Sequence, residues 1–127
     1  MALTAPRPDA VTPETRPERP VVTIALPMLN ESGHIVSCLD SFAAQDYPLE
    51  LLDVMVIDCG SDDGSRLVVE AYAAGAPWLR IVDNPAGSAS AAFDIGMREA
   101  RGHVVCLFSS HGVADHDYVS ASVAALH

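Results

Sequence analysis

The chain has 127 residues, half of them hydrophobic and 19% charged, enough for one domain with a real core and too few for two, since compact domains hold about 100–150 residues. Its formal charge is −10 and its seven basic residues are all arginine, a balance that speaks against a surface for nucleic acid or anionic lipid. Three cysteines, Cys38, Cys59 and Cys106, are an odd number without CxxC spacing, which argues against a disulfide framework or a structural zinc site and for a reducing compartment.

Residues 1–20 carry five of the nine prolines and few large apolar side chains, so they read as a disordered leader that cannot repay the entropy of ordering. Arg7, Arg16 and Arg19 balance Asp9, Glu14 and Glu18 there, which leaves all the excess negative charge in 21–127. The opening MALTAPRPDA lacks the basic-then-apolar order of a secretory signal, and no apolar run approaches the ~20 residues of a membrane span. A cytoplasmic protein without a transmembrane segment is expected.

From Val21 onward short β-branched runs alternate with amphipathic stretches, the pattern of an open, mainly parallel, Rossmann-like α/β sheet of about four strands with flanking helices. VVTIALP at 21–27 is the first strand, ended by Pro27, which cannot donate to a ladder. Asn30 or Ser32 caps a helix burying Ile35, Cys38, Leu39 and Phe42. LDVMVID at 52–58 is the second strand; CGSDDGS turns the chain into a helix with Leu67, Val68, Ala71 and Tyr72 inward. WLRIVD at 78–83 is the third, followed by the turn NPAGS and a helix that Ser88 caps, with Ala89, Ala92, Phe93, Gly96, Met97 and Ala100 inward. Gly96 on that face lets helix and sheet approach, at a cost of ~1 kcal/mol in helix propensity. HVVCLF at 103–108 is the fourth strand, and Val119, Ser122, Val123 and Leu126 mark a last helix with Asp115 or Asp117 as its cap.

In an open parallel sheet, ligands collect at the carboxyl ends of the strands. Here those ends read PMLNES, DCGSDDGS, DNPAGS and SSHGVAD. Asn30 and Glu31 suit hydrogen bonding to a ligand or the start of a helix. Asp58 at a strand tip can accept from a ribose hydroxyl or a base N–H, whereas SDDGS is turn chemistry by composition. Ser109, Ser110 and His111 close the fourth strand, and a single histidine there serves more often as a surface or cap residue than as a metal ligand.

Taken in order, VTIALPMLNESGHI, QDYPLELLDVMVIDCGSDDGS, the helix with Asp94 and Gly96 that ends in EARG, and the strand ending in SSH before HDYV resemble the inverting family 2 glycosyltransferases, most nearly the succinoglycan-biosynthesis type, from about Val21 to Val119. The resemblance implies a nucleotide-diphospho-sugar transferase (GT-A) fold, with 21–127 as its donor-binding half. It implies that Pro27, Asn30 and Glu31 line the nucleotide pocket, that Asp58 contacts the base, and that Ser109, Ser110 and His111 stand where the family has its acidic metal motif. Ser109 then occupies the place of a carboxylate that faces the ribose and the metal shell, with His111 the metal ligand that remains. The sequence departs further in having Asp94 for the usual asparagine and no basic residue in NPAGSASA, and His127 comes before the region that holds the family's catalytic base and acceptor motifs.

The implied partner is a nucleotide-diphospho-sugar, and the implied cofactor is Mg²⁺ or Mn²⁺. Both cations favour carboxylate oxygens over the hydroxyls of Ser109 and Ser110, and the arginines of 21–127 lie on helices or inside a strand, so weak metal-dependent binding is expected. A sheet that stops at its fourth strand has an open edge, which invites self-association or a partner chain. Two functions therefore stand, a glycosyltransferase and a non-catalytic nucleotide-sugar module or inactive remnant. A Rossmann dinucleotide or adenosyl domain fails, because PMLNESG lacks the G-x-G-x-x-G that brings backbone N–H groups to a pyrophosphate.

Overall fold

The structure, a computed structural model, describes residues 2–4 and 19–126. Its strands β1 (Ala2–Thr4), β2 (Val22–Met28), β3 (Leu52–Asp58), β4 (Leu79–Asp83) and β5 (Val104–Leu107) form one sheet in the order β1-β5-β2-β3-β4. The four expected strands are all present and mutually parallel, with Val22 opposite both Leu52 and Val104, and Val54 opposite Leu79. Alternation does the rest. Val22, Ile24, Leu26, Val54, Val56 and Cys106 point to one face, and Ala25, Met55, Ile57 and Val105 to the other.

Helices α1 (Ile35–Ala43), α2 (Ser65–Ala73) and α4 (Tyr118–Ala125) cover the first face, and α3 (Ala89–Glu99) lies on the second. The helix α1 buries the expected Ile35, Cys38, Leu39 and Phe42. On α2 the inward stripe is rotated from the expected one. Ser65 and Val69 are buried with Val68, Tyr72 and Ala73 beside them, while Leu67 is 72% exposed. The helix begins at Ser65, whose hydroxyl is used by the neighbouring loop, and that contact fixes its phase. On α3, Ala92, Ile95 and Gly96 are buried, whereas Ala89 and Phe93 are exposed. On α4, Val119 and Val123 are buried and Leu126 is exposed.

Other boundaries differ for local reasons. The strand β2 runs through Pro27 to Met28. Met28 and its even-numbered neighbours bond toward β3, where Cys59 N–H donates to Met28 O at 2.8 Å. Pro27 therefore turns its missing N–H toward β5, whose pairing with β2 has already ended at Ala25 and Leu107. The leader expected at 1–20 lies, for 1 and 5–18, outside the described residues. Residues 2–4 are a strand, antiparallel to β5 with Leu3 opposite Val105, so the edge expected to be open is paired.

The second face is held at its base by a polar network. Arg80 embraces the buried Asp53 with Nε at 2.8 Å and Nη2 at 3.0 Å, and Asp53 also accepts from Thr23 Oγ1 at 2.7 Å and from Arg101 N–H at 3.2 Å. Burial alone would raise the Asp53 carboxyl; these donors hold it below the ordinary range. Arg80 also donates to Glu99 O at the end of α3, where the helix dipole favours a cation. Gly102 closes the network, donating to Thr23 Oγ1 at 2.9 Å.

Two glycines let α3 sit this close. A Cβ on Gly96 would meet Ala25 Cβ at 3.2 Å, but one on Gly102 would lie 2.5 Å from Val21 O and 2.7 Å from Thr23 N, both backbone. Urea unfolding should therefore separate them. Gly102→Ala is expected to lose about 2 kcal/mol or more because backbone must shift, and Gly96→Ala to change stability by less than about 1 kcal/mol, helix propensity offsetting the tight contact.

Candidate functional site

The sheet order places a switch point between β2 and β5. The chain passes from β2 outward to β3 and β4, then returns to the other side of β2. Connections leaving opposite ways open a crevice at the carboxyl ends of such strands, and the loops that follow β2, β3 and β5 meet there.

The loops after β2 and β3 are joined by reciprocal hydrogen bonds. Asn30 N–H donates to Ser61 Oγ at 2.9 Å, and Asp62 N–H returns to Asn30 Oδ1 at 2.8 Å. Glu31 N–H donates to Ser65 Oγ at 2.8 Å and Ser32 N–H to Asp63 at 3.2 Å. Asn30 takes φ +55° to do this, a left-handed conformation that asparagine tolerates better than most residues. The expected cap on α1 is accordingly corrected. Asn30 and Ser32 bond across to the neighbouring loop, His34 holds the N-cap position without a side-chain bond to the helix backbone, and Glu31 O takes the first helical N–H groups.

Asp62 and Asp63 are turn residues here. The Asp63 carboxylate receives the hydroxyl and N–H of Ser65, and those donors depress its pKa. Gly64 precedes α2 at φ +90°, a conformation that glycine adopts freely.

Asp58 is different. It sits at the tip of β3 opposite Met28 and is 6% exposed. Its Oδ1 accepts Ser61 N–H at 3.0 Å and its Oδ2 lies 3.4 Å from Arg66 Nη1. Burial raises its pKa, but hydrogen bonds from Ser61, Arg66 and Gly60 outweigh that and the carboxyl stays below the ordinary range. The result is a buried, ionised acceptor with lone pairs to spare at the mouth of the sheet.

The loop after β5 is anchored from below. Phe108 packs edge-on against Phe42 and Tyr118 with centroids 5.2 and 5.0 Å away, pairs worth ~0.5–1.5 kcal/mol each beyond burial. Cys38 Sγ reaches Ser109 O at 3.7 Å, and Ser41 Oγ receives Ala114 N–H at 3.0 Å. Ser110 is buried, while Ser109 and His111 are exposed and in contact, Oγ to Nδ1 2.9 Å. Glu31 bridges the first and last loops, with His34 Nδ1 at 3.1 Å and His111 Nδ1 at 3.7 Å.

Thus Glu31, Ser109 and His111 come together, and Asn30 and Asp58 are linked through Ser61. Pro27 and Ser109 line a cleft of about 390 Å³ with Leu107, Phe108, Ala89 and Phe93. Asp58 stands one strand away from that cleft. A larger hollow of about 500 Å³, around Leu49, Leu52, Pro77 and Trp78, lies at the opposite end of the strands, away from every candidate residue.

Three participants were not anticipated. Arg66 leaves the first turn of α2 and pairs with Asp83 at the tip of β4 as well as with Asp58, so one arginine does reach the strand tips. The signal lay in its position, since side chains of a first helical turn lean back toward the helix N-terminus. Asn84, 3% exposed, donates to Ser88 O at 3.0 Å from Nδ2, and its N–H bonds Asp58 O at 2.9 Å, which holds the third loop. Ser88 caps α3 as expected, accepting Ala91 N–H at 3.2 Å. Ser61 joins the loops, and its role was invisible in a turn-rich run.

The residues at 109–111 do not fit a magnesium or manganese ion. They offer two hydroxyls, one of them buried, and one imidazole, and among the described residues no group of three His, Cys, Asp or Glu gathers closely enough to hold a metal.

Comparison with known proteins supplies the family. The sequence profile described as glycosyl transferase family 2 matches residues 23–127. The chain belongs to that family. It is similar to the succinoglycan biosynthesis protein ExoA of Rhizobium meliloti, 31% identical over 75% of this chain and 29% of that one, and to the glycosyltransferase AglE of Haloferax volcanii, 31% identical over 68% and 29%. Among solved structures it resembles a Pyrobaculum calidifontis mannosyltransferase in complex with GDP-Man and Mn²⁺, at 30% identity and TM-score 0.73 over 92% of this chain and 34% of that one. S. aureus TarS in complex with UDP shares the fold at 23% identity and TM-score 0.73 over 81% and 31%. The chain thus spans about three tenths of the length of the curated relatives, and its sheet is that of the nucleotide-sugar transferases.

The joined loops generate a stability test. Asn30→Ala removes the acceptor for Asp62 N–H and places a methyl side chain at φ +55°, so it should lose roughly 1–2 kcal/mol in urea unfolding. Asn30→Gly, which relieves the backbone, should lose less than the alanine variant. Equal losses would show that the backbone conformation carries no cost.

Proposed function

We propose that this chain forms the nucleotide-binding part of an inverting glycosyltransferase that uses a nucleoside-diphosphate sugar as donor, in the making of polysaccharide or glycoconjugate. The observation that carries this reading is Asp58, an ionised acceptor nine-tenths buried at the mouth of a switch-point sheet and linked through Ser61 to Asn30, in the loop whose Glu31 in turn reaches His111 after β5. Asp58 would accept a hydrogen bond from the base or ribose. Pro27 and the cleft beside Ser109 would face the remainder of the donor. The complex of GDP-Man with the Pyrobaculum mannosyltransferase supports the class of ligand.

Transfer with inversion requires a base for the acceptor hydroxyl and a group that stabilises the departing diphosphate. A bound divalent cation would supply the second, but the donor set at 109–111 is unsuited to it. We therefore read nucleotide binding here as largely independent of Mg²⁺ and Mn²⁺. The same donor set favours a second reading, a nucleotide-sugar module without transfer of its own. In either case the three unpaired thiols suit a reducing, cytoplasmic setting. Among the described residues no helix is long and apolar enough to cross a membrane.

Calorimetry with UDP and GDP, each with and without Mn²⁺, tests the proposal. One nucleotide is expected to bind, with an affinity that Mn²⁺ changes by less than about threefold, and Asp58→Ala should weaken it at least about tenfold, or ~1.4 kcal/mol. Ser109→Asp should create a Mn²⁺ response. Failure of both nucleotides to bind would sink the reading; sub-micromolar binding that vanishes without Mn²⁺ would sink its cation clause alone.

A further inference from the structure

Four carboxylates, Asp58, Asp83, Asp62 and Asp63, crowd the ends of β3 and β4 in a chain of formal charge −10. Among the described arginines, Arg66 alone reaches this end of the sheet. The Arg80 guanidinium is bound at Asp53, at the opposite end of the strands, where Arg101 donates its backbone N–H to the same carboxylate, Arg98 is in the last turn of α3, and Arg19 precedes β2. Its Nη1 bonds Asp83 Oδ1 and lies 3.4 Å from Asp58 Oδ2, and its Nε lies 3.6 Å from Glu70.

We infer that Arg66 is a positioning residue of the nucleotide site, a guanidinium on α2 that ties the tips of β3 and β4 together and fixes the Asp58 carboxylate in the orientation from which it accepts a hydrogen bond from the nucleotide. The inference rests on the nucleotide reading of Asp58 above.

Two features argue for positioning over mere stability. The pair with Asp83 is open to solvent, Asp83 being 69% and Arg66 38% exposed, and such pairs contribute little to folding. Asp58 is the opposite case. With Oδ1 taken by Ser61 N–H, Arg66 is the side-chain cation that faces Oδ2. The third loop, DNPAGS, brings no basic residue to the place, so α2 supplies what that loop lacks. A guanidinium suits the task because the two N–H bonds of Nη1, fixed in the plane of the fork, can each take one of the two carboxylates that this nitrogen faces, which a lysine ammonium does without directional control.

The electrostatic consequence has a definite sign. The charged and titratable groups around Asp58 are Arg66 and Glu70 on α2, Asp83 on β4, Asp62 and Asp63 in its own loop, and Glu31, His34 and His111 in the loops after β2 and β5. Five of these eight are carboxylates and one is an arginine. Burial pushes the Asp58 carboxyl up, and Arg66 is one of the donors that bring it down. Without Arg66 the carboxyl binds its proton more readily, and a protonated Asp58 loses acceptor capacity. Nucleotide affinity should then fall on acidification at a pH where the wild type still binds fully.

The experiment is nucleotide affinity from pH 8 to pH 5 for wild type, Arg66→Gln and Arg66→Lys, using whichever of UDP and GDP binds. Titrations common to all three cancel in the ratios. For Arg66→Gln the loss relative to wild type, a few-fold at pH 8, should grow steadily toward pH 5. Arg66→Lys, which keeps the charge and loses the fork, should bind several-fold more weakly at pH 8 with the pH profile of wild type. A glutamine variant whose loss is the same at every pH, or a lysine variant indistinguishable from wild type, overturns the inference while leaving the nucleotide reading intact. Should Arg66→Gln fail to fold in a urea-unfolding control, the lysine variant decides. If wild type binds neither nucleotide, it is the functional reading itself that falls, and this inference with it.

Discussion

The contact on which the site depends is the join between the loops after β2 and β3. Two parallel strands in register, Met28 opposite Asp58, bring the loops side by side, but register alone leaves two flexible turns. The four cross-loop hydrogen bonds and the bond from Cys59 N–H to Met28 O make the pair one rigid lip. Each donor involved is a backbone N–H that would otherwise be satisfied only by water. Because the Asp58 carboxylate accepts from Ser61, and Ser61 in turn receives Asn30 N–H, the acceptor of one strand is oriented by the loop of the other. A binding group so held loses little freedom when a ligand arrives.

Charge is the second constraint. A net −10 repels a diphosphate at long range, though only weakly beyond a Debye length of about 8 Å at physiological salt, so groups within the opening decide the matter. Glu31 is itself flanked by His34 and His111, and Asp58 and Asp83 share Arg66. Glu31, Asp58 and Asp83 thus each carry a hydrogen-bonding partner, and these three carboxylates are less hostile to a phosphate than the composition implies.

Much of this architecture was legible in the sequence. The β-branched runs located all four parallel strands because the sheet is covered on both faces and its strands read as continuous apolar stretches. Ser88 and Gly96 were readable because a cap and a close approach each demand a particular residue at a particular place. The faces of α2 and α3 were less so. Leu67 and Phe93 are apolar at helical spacing yet stand exposed, since periodicity fixes a stripe's width better than its angle, and contacts with a neighbouring loop or strand set the angle. The strand at Ala2–Thr4 gives no signal, three residues being too few for alternation to register.

The candidate site divides in the same way. Asp58, Glu31 and Ser109 could be named as candidates because a strand tip is a place the topology defines before any side chain is considered. Ser61, Asn84 and Arg66 act across elements distant from their own strand ends, and such roles depend on which loop lies beside which, information that resides in sheet order. That the sequence yields the order only through the direction of each crossover explains why candidate ligand contacts are easier to read than the residues that hold them in place. It also explains why Ser109, a substitution on a legible position, alters the expected chemistry, whereas Arg66, on a position with no expected role, supplies a charge that the third loop does not carry.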